Sequence, residues 1–245
     1  MMPELVAHRG QMASYPENTL ASIEAALACG ARFIEFDVQC TKDKDLVVFH
    51  DVELGRVTGV KGNLFETTTG DLMQLRVTEP NRFPQGIFNE PVPMLSSVVS
   101  LLRRYPEVSA FVEIKEETIE RLGVTAVVEQ LSAELAPIHR QAIIISFHLE
   151  TIAHIQQQGR HKTGWVLHNY DDRHRQQAQN LAPDYLIVNH TKLPDDQPLW
   201  PGDWQWMTYD IQDPELCIKY MNDVELIETG DICSMLKHPL FARGA

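Results

Sequence analysis

The chain has 245 residues, and its 34 acidic and 21 basic side chains give a formal charge of −13 at pH 7 with histidine neutral. This charge repels nucleic acids and anionic membrane surfaces, so neither is expected as a partner, although a local site can still bind an anion. Hydrophobic residues make up 44% of the chain, which provides a large core without a disulfide or metal.

The termini and the cysteines predict a cytoplasmic location. Residues 1–4 lack a basic leader region, and no stretch approaches about 18 consecutive apolar residues. Four cysteines, Cys29, Cys40, Cys217 and Cys233, form no C-x-x-C pair. Such sparse cysteines are typical of free thiols in a reducing compartment.

Short apolar runs in chain order predict strands that alternate with helices. The predicted strands are 5–7, 33–36, 46–49, 110–114, 142–145, 163–167, 185–188, 206–209 and 226–228. The predicted helices are 18–30, 118–135, 149–158 and 173–181, with two more starting at Pro214 and near Asp231.

This alternation predicts an α/β fold with a parallel sheet covered by helices. Counting 46–49 as an extra strand leaves eight main strands, which favours a (β/α)8 TIM barrel spanning 1–245 as a single domain. An open doubly wound sheet is the main alternative, but the chain has no G-x-G-x-x-G turn. The turn-rich segment 51–94 is interpreted as an insertion at the barrel mouth, and 190–204 as a loop in place of a helix.

The carboxyl ends of barrel strands form the active face of this fold, so polar residues there are candidates for function. Five histidines lie at predicted strand ends, namely His8, His50, His148, His168 and His190. A single such histidine is usually only a hydrogen-bonded loop residue, whereas five on one rim indicate a site.

Three carboxylates at the same ends predict a cation site. Glu35 and Asp37 are two residues apart in an apolar strand, so both side chains leave one face. Buried carboxylates repel each other unless a cation lies between them. With Glu113 as a third oxygen ligand and no cysteine, the set favours Mg²⁺ or Ca²⁺ over Zn²⁺.

Four further residues suggest phosphate-ester hydrolysis. Arg9 and Lys115 are either salt-bridge partners of the carboxylates or a clamp for a phosphate. His8 and His50 are candidates for a general base and a general acid, with His8 preferred as the base.

Seven short motifs together resemble the glycerophosphodiester phosphodiesterase family. They are V-A-H-R-G at 6–10, P-E-N-T at 16–19, E-F-D-V at 35–38, V-V-F-H-D at 47–51, V-P-M-L at 92–95, V-E-I-K at 112–115 and S-F-H at 146–148. The likeness covers almost the whole chain and is most specific through Lys115.

The resemblance implies a TIM barrel that hydrolyses deacylated phospholipids, such as glycerophosphocholine, to glycerol 3-phosphate and an alcohol. The implied site consists of His8 and His50 as the acid–base pair, Glu35, Asp37 and Glu113 as metal ligands, and Arg9 and Lys115 at the phosphate. Asn18 would shape the first loop or cap the following helix. The expected partner is a small diester, with no stable membrane association, and the oligomeric state is left open.

The C-terminal part departs from the family pattern. Y-D-I-Q-D-P at 209–214 stands where the family tends to have W-T-V-N-D-P, and Glu228 precedes T-G where T-D is common. The alcohol group is therefore left open, as is the choice between water and the glycerol 2-hydroxyl as nucleophile. Three alternatives are a lysophospholipase D-type enzyme acting on lipid, a zinc amidohydrolase barrel and a non-catalytic phosphate-binding barrel.

Overall fold

The computed structural model describes residues 2–195 and 197–241, so the predicted domain of 1–245 extends slightly beyond them. The described strands are β1 (Glu4–Ala7), β2 (Phe33–Cys40), β3 (Leu46–Val48), β4 (Arg76–Val77), β5 (Glu90–Pro91), β6 (Ser109–Ile114), β7 (Ala142–Ser146), β8 (Lys162–Val166), β9 (Tyr185–Asn189), β10 (Gln205–Tyr209) and β11 (Leu226–Thr229).

Helices connect most of the strands. They are α1 (Leu20–Ala28), α2 (Gly55–Thr58), α3 (Thr69–Leu72), α4 (Leu95–Leu102), α5 (Glu116–Leu122), α6 (Val124–Leu135), α7 (Leu149–Gln158), α8 (Asp172–Leu181), α9 (Pro214–Tyr220) and α10 (Ile232–Lys237). Short 3-10 turns lie at Leu64–Glu66, Ala136–Ile138 and His190–Lys192.

Eight parallel strands close into a barrel, which confirms the predicted TIM-barrel fold. Their order around the barrel is β1, β11, β10, β9, β8, β7, β6 and β2, and β1 also pairs with β2 to close the ring. The extra strand β3 pairs antiparallel with β2 at its carboxyl end. The chain segment after β3 therefore starts at the barrel mouth.

Alternation along the strands divides apolar side chains between the barrel interior and the helices outside. In β2, Ile34 and Phe36 belong to the outer core, whereas Phe33 packs inside the barrel. Glu35 and Asp37 share the parity of Phe33, so both point into the barrel above it. The same parity places Glu113 above Phe111 in β6 and Glu228 above Leu226 in β11.

Two predicted helices have different bounds in the structure. The first begins at Leu20, because the Thr19 side chain accepts a hydrogen bond from the backbone N–H of Ser22 and caps the helix. The predicted helix 118–135 is two helices, α5 and α6, that meet at Gly123. Gly123 has φ 84°, a conformation that glycine adopts without steric cost.

The segment 51–94 has a small apolar core of its own above the barrel mouth. Leu54, Leu64 and Leu72 are buried there together with Phe49 and Val92. Short helices and the two-stranded β4–β5 sheet surround this core. The segment is thus folded against the mouth through a compact apolar contact.

Two of the four cysteines depart from the free-thiol prediction. Cys29, at the end of α1, forms a disulfide with Cys233 in α10, and their Cα atoms are 5.3 Å apart. The residues are 204 positions apart in sequence, so spacing gave no signal for the pair. Cys40 and Cys217 are free and buried, as expected. The cysteines of this chain therefore do not indicate a reducing compartment.

Within 2–195 and 197–241, no helix combines the length and apolar character needed to cross a membrane.

Candidate active site

The candidate active site is a cavity of about 160 Å³ at the carboxyl ends of the barrel strands. Its titratable lining residues are His8, Arg9, Glu35, His50, Glu113, Lys115, Tyr209, Asp210 and Glu228. The aliphatic part of the wall comes from β7, β8 and β9 and consists of Ile145, Val166 and Ile187. The charged groups and the aliphatic groups therefore occupy two different arcs of the barrel.

Six of the seven predicted site residues line this cavity, and the seventh, Asp37, lies just behind it. Asp37 is 1% exposed and its backbone pairs with Glu113 across β2 and β6. Its carboxylate accepts a hydrogen bond from the Asn18 side-chain amide at 2.8 Å. It also lies 3.0 Å from Arg9 Nε and 3.6 Å from Lys115 Nζ. Its charge is thus balanced inside the protein.

Asn18 holds Asp37 in place and does not cap α1. Its Oδ1 also accepts the backbone N–H of Asp37 at 3.2 Å, so the amide contacts that residue twice. Asn18 has φ 57°, in the left-handed region that asparagine tolerates better than most residues. This conformation turns the P-E-N-T loop toward β2.

Arg9 and Lys115 are both bound by carboxylates, as the salt-bridge interpretation predicts. Arg9 Nη1 lies 2.8 Å from Glu17, in addition to the contact of Nε with Asp37. Lys115 Nζ donates to Glu113 Oε1 at 2.7 Å. Both side chains also line the cavity, so each has a side that faces it.

The loop that carries Arg9 requires a glycine at position 10. Arg9 has φ 52° and Gly10 has φ 82°, so the chain turns sharply after β1. A Cβ atom on Gly10 would lie 2.7 Å from the backbone nitrogen of Ile23 in α1. This close approach brings the Arg9 backbone N–H to Glu35 Oε2, at 3.1 Å.

His50 is oriented by the residue that follows it. Its Nδ1 lies 2.5 Å from Asp51 Oδ1, and Asp51 Oδ2 accepts from Arg56 Nε at 2.5 Å. Burial raises the pKa of Asp51, but hydrogen bonds from His50 and Arg56 outweigh burial and hold the pKa below its usual range. The ionised carboxylate can only accept, so Nδ1 donates and Nε2 remains for the cavity.

His8 is largely buried, with 15% of its side chain exposed, and its surroundings favour the neutral imidazole. Burial, reinforced by the positive charge of Arg9, lowers the pKa of His8 to about 3. Its Nε2 lies 3.6 Å from Glu228 and 4.0 Å from Glu35. A neutral imidazole in this position is able to accept a proton.

Three of the five predicted rim histidines take structural roles instead. His148 accepts the backbone N–H of Thr151 and caps α7. His168 stacks on Phe147 with ring centres 4.6 Å apart, and His190 packs edge-on against Tyr220. Being at a strand end therefore did not by itself place a histidine in the site.

Glu228 is the buried site residue that the sequence did not single out as functional. It is 4% exposed and is the fourth carboxylate at the barrel mouth. Burial raises the pKa values of Glu35 and Glu228 well above their usual range, and nearby carboxylates raise them further. Two signals were available: Glu228 lies at the end of the last strand, where the sequence departs from the family pattern, and its alternation with Leu226 points it into the barrel.

The carboxylates fit a divalent cation. Glu35, Asp37 and Glu113 each offer an oxygen within 4.8 Å of the other two, and His8, Glu35 and Glu228 form a second such group. Oxygens around one Ca²⁺ or Mg²⁺ ion are separated by similar distances, since each lies about 2.0–2.6 Å from the ion. Glu35 Oε1 is buried without a hydrogen-bond partner. A cation would satisfy that atom and lower the repulsion among the carboxylates.

A TIM barrel with carboxylates, cations and imidazoles at the carboxyl ends of its strands carries these groups where enzymes of this fold have their active sites. The sequence profile of the "Glycerophosphoryl diester phosphodiesterase family" matches residues 8–198. The chain therefore belongs to this family, as the sequence motifs predicted.

Individual relatives agree with this assignment. The chain is 33% identical over 152 residues to a glycerophosphodiester phosphodiesterase of Bacillus altitudinis, a match that covers 62% of this chain and 61% of that protein. It is 27% identical over 155 residues to glycerophosphodiester phosphodiesterase 1 of Homo sapiens, covering 63% of this chain and 46% of the human protein. The matched region thus spans about half to three fifths of these relatives.

Solved structures share the fold over nearly the whole chain. A phosphodiesterase of Oleispira antarctica, solved with its product sn-glycerol-3-phosphate, superposes with a TM-score of 0.80 at 20% identity and covers 96% of this chain and 95% of that one. A glycerophosphodiester phosphodiesterase of Agrobacterium tumefaciens gives a TM-score of 0.74 at 22% identity and covers 98% and 99%. At this identity the similarity establishes the barrel fold.

Proposed function

We propose that the protein hydrolyses glycerophosphodiesters to glycerol 3-phosphate and an alcohol. The observation that carries this proposal is that His8 and His50 line one cavity together with Arg9, Lys115 and a set of buried carboxylates. Phosphodiester cleavage requires a proton acceptor, a proton donor and positive charge at the phosphate, and all three are within this cavity.

We propose that Glu35, Asp37 and Glu113 hold a divalent cation, Mg²⁺ or Ca²⁺. The oxygen donor set and the unpartnered Glu35 Oε1 support this assignment. When bound, such a cation polarises the phosphoryl oxygens and favours an oxygen nucleophile. Its positive charge would also balance the negative charge of the three carboxylates.

His8 is the proposed general base and His50 the proposed general acid. The neutral state of His8 leaves a ring nitrogen able to take the nucleophile's proton. Asp51 fixes the Nδ1 side of His50, which directs Nε2 to the leaving alcohol. The base and the acid thus start from different environments, one enclosed and neutral, the other next to an ionised carboxylate.

Arg9 and Lys115 are proposed to bind the phosphate from the side of β1 and β6. Both are anchored by carboxylates, Arg9 by Asp37 and Glu17 and Lys115 by Glu113. Anchored cations need little reorganisation when charge develops in the transition state, so they stabilise it effectively.

The nucleophile is water or the 2-hydroxyl of the substrate's own glycerol. The two routes differ in a cyclic glycerophosphate intermediate, which only the second produces. Phosphorus NMR during turnover separates them, because the cyclic phosphate has its own resonance. If no such species accumulates and the authentic cyclic compound is not hydrolysed, water is the nucleophile.

Action on lipid-embedded substrate is the second candidate, and one observation favours it. Ile87 in the 51–94 segment is 69% exposed. Val60 and Met73 in the same segment are also exposed, at 46% and 37%, whereas Leu64 is buried and Phe88 packs between Tyr15 and Phe83. Comparing rates on soluble glycerophosphocholine and on micellar lysophosphatidylcholine discriminates the two candidates.

The proposed activity is tested with a panel of glycerophosphodiesters in the presence of Mg²⁺ or Ca²⁺ and after EDTA treatment. We expect release of glycerol 3-phosphate, its loss with EDTA, and rates lowered by about 10²–10⁴ in His8→Ala and His50→Ala. His139→Ala is the matched control, since His139 is exposed and outside the cavity. Wild-type rates in either active-site variant would refute that residue's role.

The cytoplasmic location predicted from the sequence remains a prediction. The Cys29–Cys233 disulfide speaks against it, because disulfides persist mainly in oxidising compartments. Alkylating the protein in denaturant at the moment of cell lysis tests it, because the denaturant exposes the buried Cys40 and Cys217. Four modified cysteines would support a reducing compartment, and two would refute it.

A further inference from the structure

Glu228 brings a fourth carboxylate to the barrel mouth from the last strand. Its oxygen lies within 4.8 Å of ligand atoms of Glu35 and His8. The residue is 4% exposed and lines the cavity. It is therefore a buried acid beside the proposed cation site, from a strand that contributes nothing to the predicted ligand set.

The four carboxylates differ in how their charge is balanced. Asp37 is paired with Arg9 and Lys115, and Glu113 is paired with Lys115. Among residues 2–195 and 197–241, no lysine or arginine side chain forms a salt bridge with Glu35 or Glu228. The negative charge that the protein does not compensate is thus concentrated on these two side chains.

The two carboxylate oxygens of Glu35 differ in their hydrogen bonding. Oε2 accepts the backbone N–H of Arg9 at 3.1 Å, whereas Oε1 is buried with no hydrogen-bond partner. The residue is 2% exposed and lines the cavity. A buried carboxylate oxygen in this condition is costly unless a cation or donor reaches it.

We propose that Glu228 is a ligand of the divalent cation and shares it with Glu35. This inference rests on the cation site of the proposed function and adds a ligand from β11 to it. Two uncompensated carboxylates match the charge of one divalent ion, so the ion is drawn toward β1 and β11. Mg²⁺ and Ca²⁺ prefer oxygen over imidazole, and His8 therefore remains free to exchange protons.

The test measures binding of Mn²⁺, a carboxylate-binding and EPR-visible probe, to the whole protein without substrate. We expect Glu228→Gln to weaken Mn²⁺ binding at least about tenfold. Glu228→Asp keeps the charge on a shorter side chain, so its Mn²⁺ affinity should lie between those of the wild type and Glu228→Gln. Calorimetry with Ca²⁺ gives the same comparison for a second ion, and thermal melts show whether each variant is folded.

Asp210→Asn is the matched control. Asp210 lines the same cavity, is exposed and hydrogen-bonds to the Asn189 amide at 2.7 Å. Its removal changes the charge of the mouth by the same amount as Glu228→Gln. We expect less than about a threefold effect on Mn²⁺ binding, since screening weakens charges at an exposed position.

The outcomes separate this inference from the proposed function. Unchanged Mn²⁺ affinity in a folded Glu228→Gln variant overturns the inference, and so does an equal loss in Asp210→Asn. A wild-type protein that binds neither ion overturns it as well. A protein that binds Mn²⁺ through Glu228 but cleaves no glycerophosphodiester supports the inference and refutes the proposed activity.

Discussion

Arg56 forms a bidentate salt bridge with Glu17, in which Nη1 lies 2.7 Å from Oε2 and Nη2 lies 2.7 Å from Oε1. Glu17 also binds Arg9, and Arg56 also binds Asp51, which orients His50. One side chain of the 51–94 segment thus connects the groups behind the phosphate site with those behind a proposed catalytic histidine.

Replacing Arg56 by lysine is therefore expected to lower kcat. Lysine keeps the positive charge but cannot span Glu17 and Asp51 with a rigid fork. Misplacement of His50 or Arg9 by a fraction of an ångström should reduce kcat by roughly 10–100-fold. Steady-state kinetics on glycerophosphocholine measures the effect. Arg76→Lys is the control, because Arg76 lies in the same segment and donates to the backbone carbonyls of Met73 and Leu75. Equal losses in both variants would show that only the stability of the segment matters.

Replacing Asp51 by asparagine should change the tautomer of His50. The carboxylate accepts a hydrogen bond from Nδ1, whereas an asparagine can rotate to offer its NH₂ group. Nitrogen NMR of the imidazole should show loss of the Nδ1–H form, and kcat should fall by roughly 10²–10⁴. Asp71→Asn, which alters an exposed acid bonded to Thr68, is the control. A protonated Nδ1 that persists in the Asp51 variant would contradict the orienting role.

The buried Glu17 carboxylate should contribute pH-dependent stability. Burial raises the pKa of Glu17, but hydrogen bonds from Arg56 and the charge of Arg9 outweigh burial and lower the pKa to about 2. Because the folded-state pKa is below the ordinary value of 4.5, the stabilisation is present above about pH 4.5 and is lost as the pH falls toward 2. Its size at neutral pH is roughly 2 kcal/mol once the half-exposed Arg56 is allowed for.

Urea unfolding of the wild type and of Glu17→Gln at pH 7 and pH 3 checks this expectation. The difference in unfolding free energy should shrink at the lower pH. Glu66→Gln, at an exposed position, should give no such trend. A Glu17 difference that stays constant between the two pH values would rule out the linkage.

Reduction of the Cys29–Cys233 disulfide should destabilise the barrel by about 2–4 kcal/mol. The disulfide joins residues 204 positions apart, so its reduction increases the conformational entropy of the unfolded chain. Thermal melts with and without dithiothreitol measure the loss. The double variant Cys29→Ser/Cys233→Ser should melt like the reduced protein and should not respond to the reductant. Thiol titration in urea without reductant should find two thiols; four would show that the disulfide is absent.

The barrel was predictable because each strand carries its own signal. Short apolar runs such as 142–145 alternate with amphipathic helices, and that rhythm specifies a parallel sheet before any long-range contact is known. The inward position of Glu35 and Asp37 followed from their spacing of two in an apolar strand. Glu113 was predicted from its position at the end of the strand 110–114. The three carboxylates of the proposed cation site could thus be named from local sequence patterns.

The remaining features depend on contacts between distant parts of the chain. The sequence shows Asn18 beside a helix but not its two hydrogen bonds to Asp37. Glu228 comes close to His8 only because β11 pairs with β1 when the barrel closes. The pairing of Cys29 with Cys233 arises from that same closure of the ring. Local periodicity contains no information on such contacts.

The division of the cavity wall into two arcs has a consequence for how this barrel could be changed. Every proposed reacting group lies on β2, β6 or β11 or in the loops after β1, β3 and β6, whereas Ile145, Val166 and Ile187 on β7, β8 and β9 offer only hydrocarbon. Under the proposed function, substitutions at these three aliphatic positions would reshape the cavity wall without changing the residues proposed to act on the phosphate. A library confined to those three positions would therefore sample new leaving groups on an otherwise unaltered catalyst.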